Sequence, residues 1–474
     1  MDRPRAGRPV CPISRPESTV PASAPSAHPR ATRAFDSPGP PGKHWGSLLG
    51  LTRYQWLVLF AAWLGWGFDV FDGLLFNFVA PICVPNLLGF DPGDPAAKEA
   101  TMFWTATLSS LLLLGWAVGG VVFGKLTDRI GRTRTLLLTM LTYALGTAAC
   151  AFAPNLWVLA LFRFVASLGI GGEWAAGASL VAETMPKDKR ILGGALLYTS
   201  APIGLFLATF VNDVFTRQLD SIAADPSLSW RAVFLTGLIP AAVAMLIRLG
   251  VKEPEHWTPS GRTELRELFT PALRRRTLGG LAMAVIALVT WWSCSVFIPI
   301  IASFLAADTS TDAATLAARK TEFITLGTTM FNVGGLVGTL ITVPIALRWG
   351  RRPMFAIYFS GATLALFATF GLPMAAIDRL LMLGAVGLTV FGIFGAFSFY
   401  LPELFPMRLR GTGAGFCYNA GRVITAVFPF AVGVIVRSGA NPLSVLTWVA
   451  AAPLVGLVLL AFGVGEETRD DALA

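Results

Sequence analysis

One short pattern stands twice in this chain of 474 residues, about half a protein apart. Residues 124–134 read GKLTDRIGRTR and residues 347–353 read LRWGRRP, so Gly350 and Arg351 fall 219 positions after Gly131 and Arg132. A second pair, AETMPKDKR at 182–190 and PELFPMRLR at 402–410, sets Glu183, Pro186 and Arg190 against Glu403, Pro406 and Arg410, each 220 positions on. Two independent motifs that share one offset indicate an internal duplication of about 220 residues. Any fold for this chain must therefore be built from two equivalent halves.

Apolar residues make up 54% of the chain and charged residues only 14%, where a soluble protein carries about a quarter charged residues. Apolar runs of roughly 20 residues, the length a bilayer span needs, recur from end to end. Twelve are read, at 54–80, 103–124, 135–153, 156–182, 191–213, 230–250, 278–306, 322–346, 354–371, 379–401, 411–436 and 443–464. Lipid offers the backbone no hydrogen-bond partner, so each span is expected to be a helix. The expected fold is an all-α membrane protein of twelve transmembrane helices in two pseudo-symmetric six-helix bundles, the duplicated architecture of secondary transporters. The expected order is a disordered cytoplasmic tail at 1–52, one bundle at 53–250, a linker at 251–277, a second bundle at 278–465 and a short tail at 466–474. ELRELF in the linker is expected to form a short amphipathic helix on the membrane surface.

The net charge of +9 is unevenly placed: with the N-terminus inside, 28 of the 37 Lys and Arg fall in or beside inner segments and 7 on the outer side. That asymmetry puts both termini in the cytoplasm of a multi-pass protein of the plasma membrane, the inner membrane in a Gram-negative cell. A nucleic-acid surface would instead cluster its basic residues on one soluble domain, so no nucleic-acid partner is expected. Cys11, Cys83, Cys150, Cys294 and Cys417 lack metal-ligand or redox spacing, so no metal and no cofactor are expected. His28, His44 and His256 all lie in inner segments, which leaves proton chemistry inside the membrane to carboxylates. No Walker A sequence is present to use ATP, and no nucleophile–base pair marks an enzyme.

GKLTDRIGRTR resembles the loop between helices two and three of the major facilitator superfamily, and its second copy falls between helices eight and nine. The resemblance runs from about residue 53 to residue 465. GFDVFDGLLFNFVAP in helix one, RFVASLGIGGEW in helix four, YLPELFPMRLRGTG after helix ten and GFCYNAGR in helix eleven look like the organic-acid and sialate proton symporters, and overlap with sugar porters and aromatic-acid symporters. The second loop copy departs from the pattern, with Leu347 in place of the acid and Val343 in place of the first glycine.

Gly124 has no side chain, so two helices can approach closely there. Asp128 is an anion at the inner end of helix two, and the resemblance sets it against the N-terminus of helix eleven near Gly411 and Thr412, where negative charge is favoured. Arg129, Arg132 and Arg134 can reach Glu183 at the end of helix four. With Gly131, and with Glu403 and Arg410 in the second copy, these residues are expected to latch the inner side while the cavity faces out. The alternative, preferred for Lys125 and Arg134, is an ordinary positive-inside anchor.

Ionised side chains at mid-bilayer cost roughly 2.5–3.5 kcal/mol on insertion scales, so those present need a reason. Asp69 and Asp72 share a face of helix one. Arg163 in helix four lies at the depth of Asp72, on the order of 10–12 Å below the outer boundary, and the two can pair. The resemblance to sugar porters matches Asp72 and Arg163 to their proton-linked acid and arginine; the alternative is a static ion pair. Glu173 lines the lower cavity or plays a structural part. Arg422 in helix eleven, sharing its face with Asn419 and preceded by Tyr418, binds either a substrate carboxylate or one of Asp69 and Glu173. The counterparts of Asp69, Asp72 and Arg163 in the second half are apolar, so substrate contacts are expected there, from Trp291, Trp292, Ser293, Asn332, Phe397 and Tyr400.

The reading is a monomeric, proton-coupled symporter for a small organic anion (a monocarboxylate, sialate or aromatic acid) that works by alternating access in the lipid bilayer. A sugar or polyol symporter, a proton-linked exporter and a nutrient sensor on a transporter fold are the alternatives.

Overall fold

A computed structural model describes residues 50–90, 95–130, 132–186, 189–249, 264–307, 313–406, 409–465 and 468. Every regular element among them is helical. In chain order these are α1 (Arg53–Leu88), α2 (Pro95–Ile130), α3 (Arg132–Cys150), α4 (Leu156–Thr184), α5 (Arg190–Tyr198 and Ser200–Asp213), α6 (Pro226–Thr236 and Leu238–Leu249), α7 (Arg274–Ala307), α8 (Ala313–Trp349), α9 (Arg351–Leu366), α10 (Ala376–Gly392 and Phe394–Glu403), α11 (Arg410–Thr425 and Val427–Arg437) and α12 (Pro442–Val449 and Ala451–Ala461). The twelve helices fall at the twelve apolar runs read from the sequence.

Local chemistry sets the helix ends. Thr52 Oγ1 accepts from the Gln55 N–H while Gln55 Oε1 accepts from the Thr52 N–H, a capping box that satisfies two donors at the start of α1. Gly89 closes the helix at φ 72, a left-handed position that suits a residue without Cβ. Asn155 caps α4 and Asp225 caps α6, each through its side-chain oxygen.

Among the described residues, ten helical segments are long and apolar enough to cross a membrane. The other two expected spans are α3 and α6. Arg132 and Arg134 at the start of α3 dilute its apolar run. Trp157, Trp448 and Phe462 point outward at 75%, 80% and 82% exposure, along with Leu145, Leu161 and Leu364. An apolar perimeter of this kind is a surface for lipid chains rather than for water.

α1–α6 pack chiefly on one another, and so do α7–α12. The halves meet where α2 runs against α11 and where α5 runs against α8, two seams that the duplication exchanges. The repeat is also written in the packing. A methyl on Gly119 of α2 would stand 2.0 Å from the Leu168 carbonyl oxygen of α4, and one on Gly338 of α8 would stand 2.1 Å from that of Leu388 in α10. Gly119 and Gly338 are 219 positions apart, and Leu168 and Leu388 are 220 apart. In each half a glycine lets two backbones touch at the same place.

The short helix expected in ELRELF is present as a five-residue 3-10 helix, Leu265–Phe269, with Leu268 buried. Glu264 and Glu267 cap it, and Thr277 Oγ1 of α7 donates to the Leu268 carbonyl, which fastens the turn to the bundle. The residues of both expected tails, apart from Gly50–Thr52 and Thr468, lie outside the described ones.

Candidate functional site

Two cavities lie in series along the seam between α1 and α7. The first is walled by Trp66 of α1, Trp116 of α2, Tyr198 of α5, Trp291 and Trp292 of α7, and Phe391 and Phe394 of α10. Tyr418 and Arg422 of α11 complete it. Six helices from both halves contribute, so the cavity belongs to neither bundle alone. The rings form one connected set. Trp66 stacks on Trp116 at 6.5 Å, Trp116 meets Trp292 edge-on at 5.5 Å, and Trp292 meets Trp291 at 5.0 Å.

Arg422 is the cationic side chain of this chamber. Its guanidinium carbon lies 4.5 Å from the ring centre of Trp116 and 4.5 Å from that of Tyr418, a cation held between two π faces. Nη1 donates to Asn419 Oδ1 at 3.1 Å, while Nε finds no hydrogen-bond partner. Asn419 is itself fixed by donation to the Gly415 carbonyl, and α2 comes so near that a methyl on Gly120 would stand 2.6 Å from Asn419 Nδ2. The charge of Asp69, fully buried in α1, acts on Arg422. Such a site can bind a planar anion: rings for its faces, and a buried cation with a donor to spare for its charge.

The second cavity lies farther along α1 and α7. Asn77 of α1, Ser295 of α7, and Thr328 and Asn332 of α8 bring polar atoms to it, and Asn77 Oδ1 accepts from Ser109 of α2 at 3.2 Å.

The acid–base pair read from the sequence meets in an unexpected way. Arg163 Nη1 donates to the main-chain carbonyl of Asp72 at 3.0 Å and Nη2 to that of Gly73 at 2.6 Å. Both carboxylate oxygens of Asp72 are buried without a hydrogen-bond partner, as is Thr147 Oγ1 of α3. The carboxyl points at the break in α6, where a methyl on Gly237 would stand 2.6 Å from Asp72 Oδ1 and 2.8 Å from Thr147 Cγ2. A carboxyl so placed can gain a proton without breaking an existing hydrogen bond.

The remaining candidates divide. Tyr418, Trp291 and Trp292 line the aromatic cavity, and Asn419 holds Arg422. Asn332 belongs to the second cavity. Glu173 accepts from Thr139 of α3 at 3.3 Å in the seam between α3 and α4, and it lines neither cavity. Tyr400 is buried inside the second bundle, 4.9 Å from Phe355, and also lines neither. Trp66, Trp116 and Tyr198 were not singled out from the sequence. Tyr198 carried a signal, standing 220 positions before Tyr418.

Gly131 and the side chains of Asp128, Arg129, Arg132 and Glu183, with position Gly124, lie outside the described residues. Their counterparts in the second half are described. Arg351 at the start of α9 is almost fully buried and binds Glu403 of α10 with both prongs, at 2.7 and 3.1 Å. Thr468 Oγ1 donates to the same carboxylate at 2.5 Å. This clamp ties elements of one half together. Arg410 Nε donates to the Phe405 carbonyl at 3.4 Å.

Residues 55–429 match the family model of the Major Facilitator Superfamily. Among curated proteins, the chain is 29% identical over 435 residues to a probable 4-methylmuconolactone transporter of Cupriavidus pinatubonensis, covering 88% of this chain and 91% of that one. It is 26% identical over 402 residues to a gentisate transporter of Corynebacterium glutamicum, covering 82% and 83%. Among solved structures, a D-xylose–proton symporter shares the fold with a TM-score of 0.68 at 16% identity, covering 88% of this chain and 99% of that chain.

Proposed function

The chain belongs to the Major Facilitator Superfamily, and on that premise we propose that it carries a small organic anion together with a proton, by alternating access. It is a multi-pass membrane transporter and not an enzyme. The observation that carries the reading is Arg422: a buried guanidinium, stacked between Trp116 and Tyr418, at the wall of a cavity shared by both halves. A carboxylate would take the free Nε donor, and the surrounding rings would take the apolar body of the substrate. Transport of 4-methylmuconolactone and of gentisate by the two relatives favours the same class.

Asp72 is the proposed proton carrier, with Asp69 sharing its helix face and Arg163 fixing the main-chain carbonyls of Asp72 and Gly73. Proton and anion load from the side to which the cavity opens, the halves rock, and both leave on the other side. Asp128, Arg132 and Glu183 are the proposed latch of the inner side. The charge asymmetry supports cytoplasmic termini and a position in the plasma membrane. The two bundles together enclose the cavity, so one chain suffices as the working unit.

The reading is tested by reconstituting the full chain in proteoliposomes and measuring uptake of labelled gentisate, lactate, sialate and D-xylose with and without a pH gradient. Gradient-dependent uptake of an acid but not of D-xylose is expected. Gradient-driven uptake of D-xylose with no uptake of any acid would overturn the anion assignment.

A further inference from the structure

The hydroxyl groups of Tyr198 on α5 and Tyr418 on α11 hydrogen-bond to each other at 2.7 Å. These residues are 220 positions apart, the same offset that relates Glu183 to Glu403 and Arg190 to Arg410. Each tyrosine is therefore the duplicate of the other. The halves of this fold are related by a pseudo-two-fold axis along the membrane normal. A residue can touch its own symmetry mate only on the axis, so the two hydroxyls meet on the central line of the molecule.

Their position along that line is equally defined. α5 begins at Arg190 and α11 at Arg410, each eight residues before its tyrosine, which is about 12 Å of helix. The cavity lies on the other side of the pair: Ala201 follows Tyr198 by one turn, and Arg422 follows Tyr418 by one turn. Tyr198 packs against Trp66 at 5.8 Å and Phe394 at 6.1 Å, and Tyr418 against Phe397 at 6.1 Å, so both rings are braced. The joined pair stands across the axis between the cavity and the starts of α5 and α11.

We propose that Tyr198 and Tyr418 form a repeat-related clasp that closes the Arg422 cavity on the side where α5 and α11 begin, and that an anion bound to Arg422 releases it by capturing the Tyr418 hydroxyl. The Tyr418 hydroxyl is held by the Tyr198 hydroxyl and also contacts Arg422; a hydrogen bond to a carboxylate is roughly twice as strong as one between two neutral hydroxyls, so an anion drawn to Arg422 competes with Tyr198 for it. Arg422 is one helical turn from Tyr418 and within reach of the same ligand. The clasp thus opens when the cavity is loaded and stays shut when it is empty. This inference rests on the alternating-access reading and on the anion assignment given above.

The test uses the full-length protein in oriented proteoliposomes, with Ala201→Cys as a reporter of cavity access to an impermeant thiol reagent from the side where α5 and α11 begin. Loss of one hydrogen bond of ordinary strength should raise the ligand-free labelling rate roughly threefold to tenfold in Tyr198→Phe and in Tyr418→Phe. The double variant should add little to Tyr418→Phe, because that change has already broken the bond that Tyr198→Phe removes. Tyr358→Phe is the control: its hydroxyl bonds Thr342 and the Gly338 carbonyl inside one half, and its removal should leave the rate unchanged. Melting temperatures confirm that each variant is folded. Gentisate should accelerate labelling of the otherwise wild-type reporter and have little further effect in Tyr418→Phe.

Ligand-free rates unchanged by both Phe substitutions in folded protein would overturn the clasp. Gentisate binding, seen as a rise in melting temperature, without faster labelling would overturn release by the anion. Absence of gentisate binding would count against the anion assignment, while the ligand-free rates still decide the clasp.

Discussion

Arg163 holds Asp72 by its backbone and not by its carboxylate, with Nη1 at 3.0 Å from the Asp72 carbonyl and Nη2 at 2.6 Å from that of Gly73. The arginine thus fastens α4 to α1 whatever the protonation state of the acid. The carboxyl is left facing Gly237 and Thr147, where it has no hydrogen bond to lose.

Asp72→Asn should therefore melt close to the wild type. Net uptake driven by a pH gradient should collapse, while exchange of internal for external substrate should persist, because exchange need not return the empty carrier. Wild-type gradient-driven uptake by this variant would refute coupling through Asp72. Arg163→Ala should behave differently and lose about 1–3 kcal/mol of stability as buried groups go unpaired; thermal melts in detergent decide.

For Arg422, the lysine variant keeps the charge and gives up the planar fork between Trp116 and Tyr418. Its affinity for gentisate should fall. Arg422→Ala should lose more, on the order of 2–5 kcal/mol if a desolvated carboxylate is left unpaired. Binding is measured by titration calorimetry beside the melting temperature. Unchanged acid affinity in a folded Arg422→Ala protein would remove this residue from the substrate site.

The glycine contacts make a paired prediction. Gly119→Ala and Gly338→Ala each push a methyl to within about 2 Å of a carbonyl oxygen, and overpacking of this kind costs typically 1–3 kcal/mol or more. Gly415→Ala meets nothing within 4 Å and, as a helix-interior glycine, should gain roughly 0.5–1 kcal/mol. Equal melting temperatures for all three would contradict the backbone contact.

Glu403→Gln leaves the buried guanidinium of Arg351 without its carboxylate and should cost about 3–5 kcal/mol. Replacing both partners by methionine should recover much of that loss, since a buried pair is often matched by apolar packing. The comparison is made by detergent melts of the single and double variants.

The charge asymmetry predicts sidedness. A cysteine at Thr270, exposed between α6 and α7, should be shielded from an impermeant reagent in intact cells, and one at Asp378, exposed at the start of α10, should react. Labelling at Thr270 would invert the topology.

The fold was legible because it is written twice. Offsets of 219 and 220 between two loop motifs reappear in Gly119 and Gly338, in Leu168 and Leu388, and in Tyr198 and Tyr418. Arg422 stood out for its cost in lipid. What the sequence could not convey was rotation about each helix axis. Glu173 and Tyr400 sit at plausible depth yet turn toward α3 and Phe355, and an aromatic such as Trp116 reads as packing until its neighbour on another helix is known. The backbone destination of Arg163 was equally hidden, since spacing can match two residues in depth without choosing between a carbonyl and a carboxylate.

Four of the chain's 14 tryptophans, Trp66, Trp116, Trp291 and Trp292, stand in one connected group around the cavity and come from both halves. Indoles at 5.0–6.5 Å exchange excitation and share their electronic transitions. Under the proposed alternating access, parting α2 from α7 would separate Trp116 from Trp292 and so change near-ultraviolet dichroism and emission together. These four indoles would then serve as an optical gauge of cavity closure in unlabelled protein.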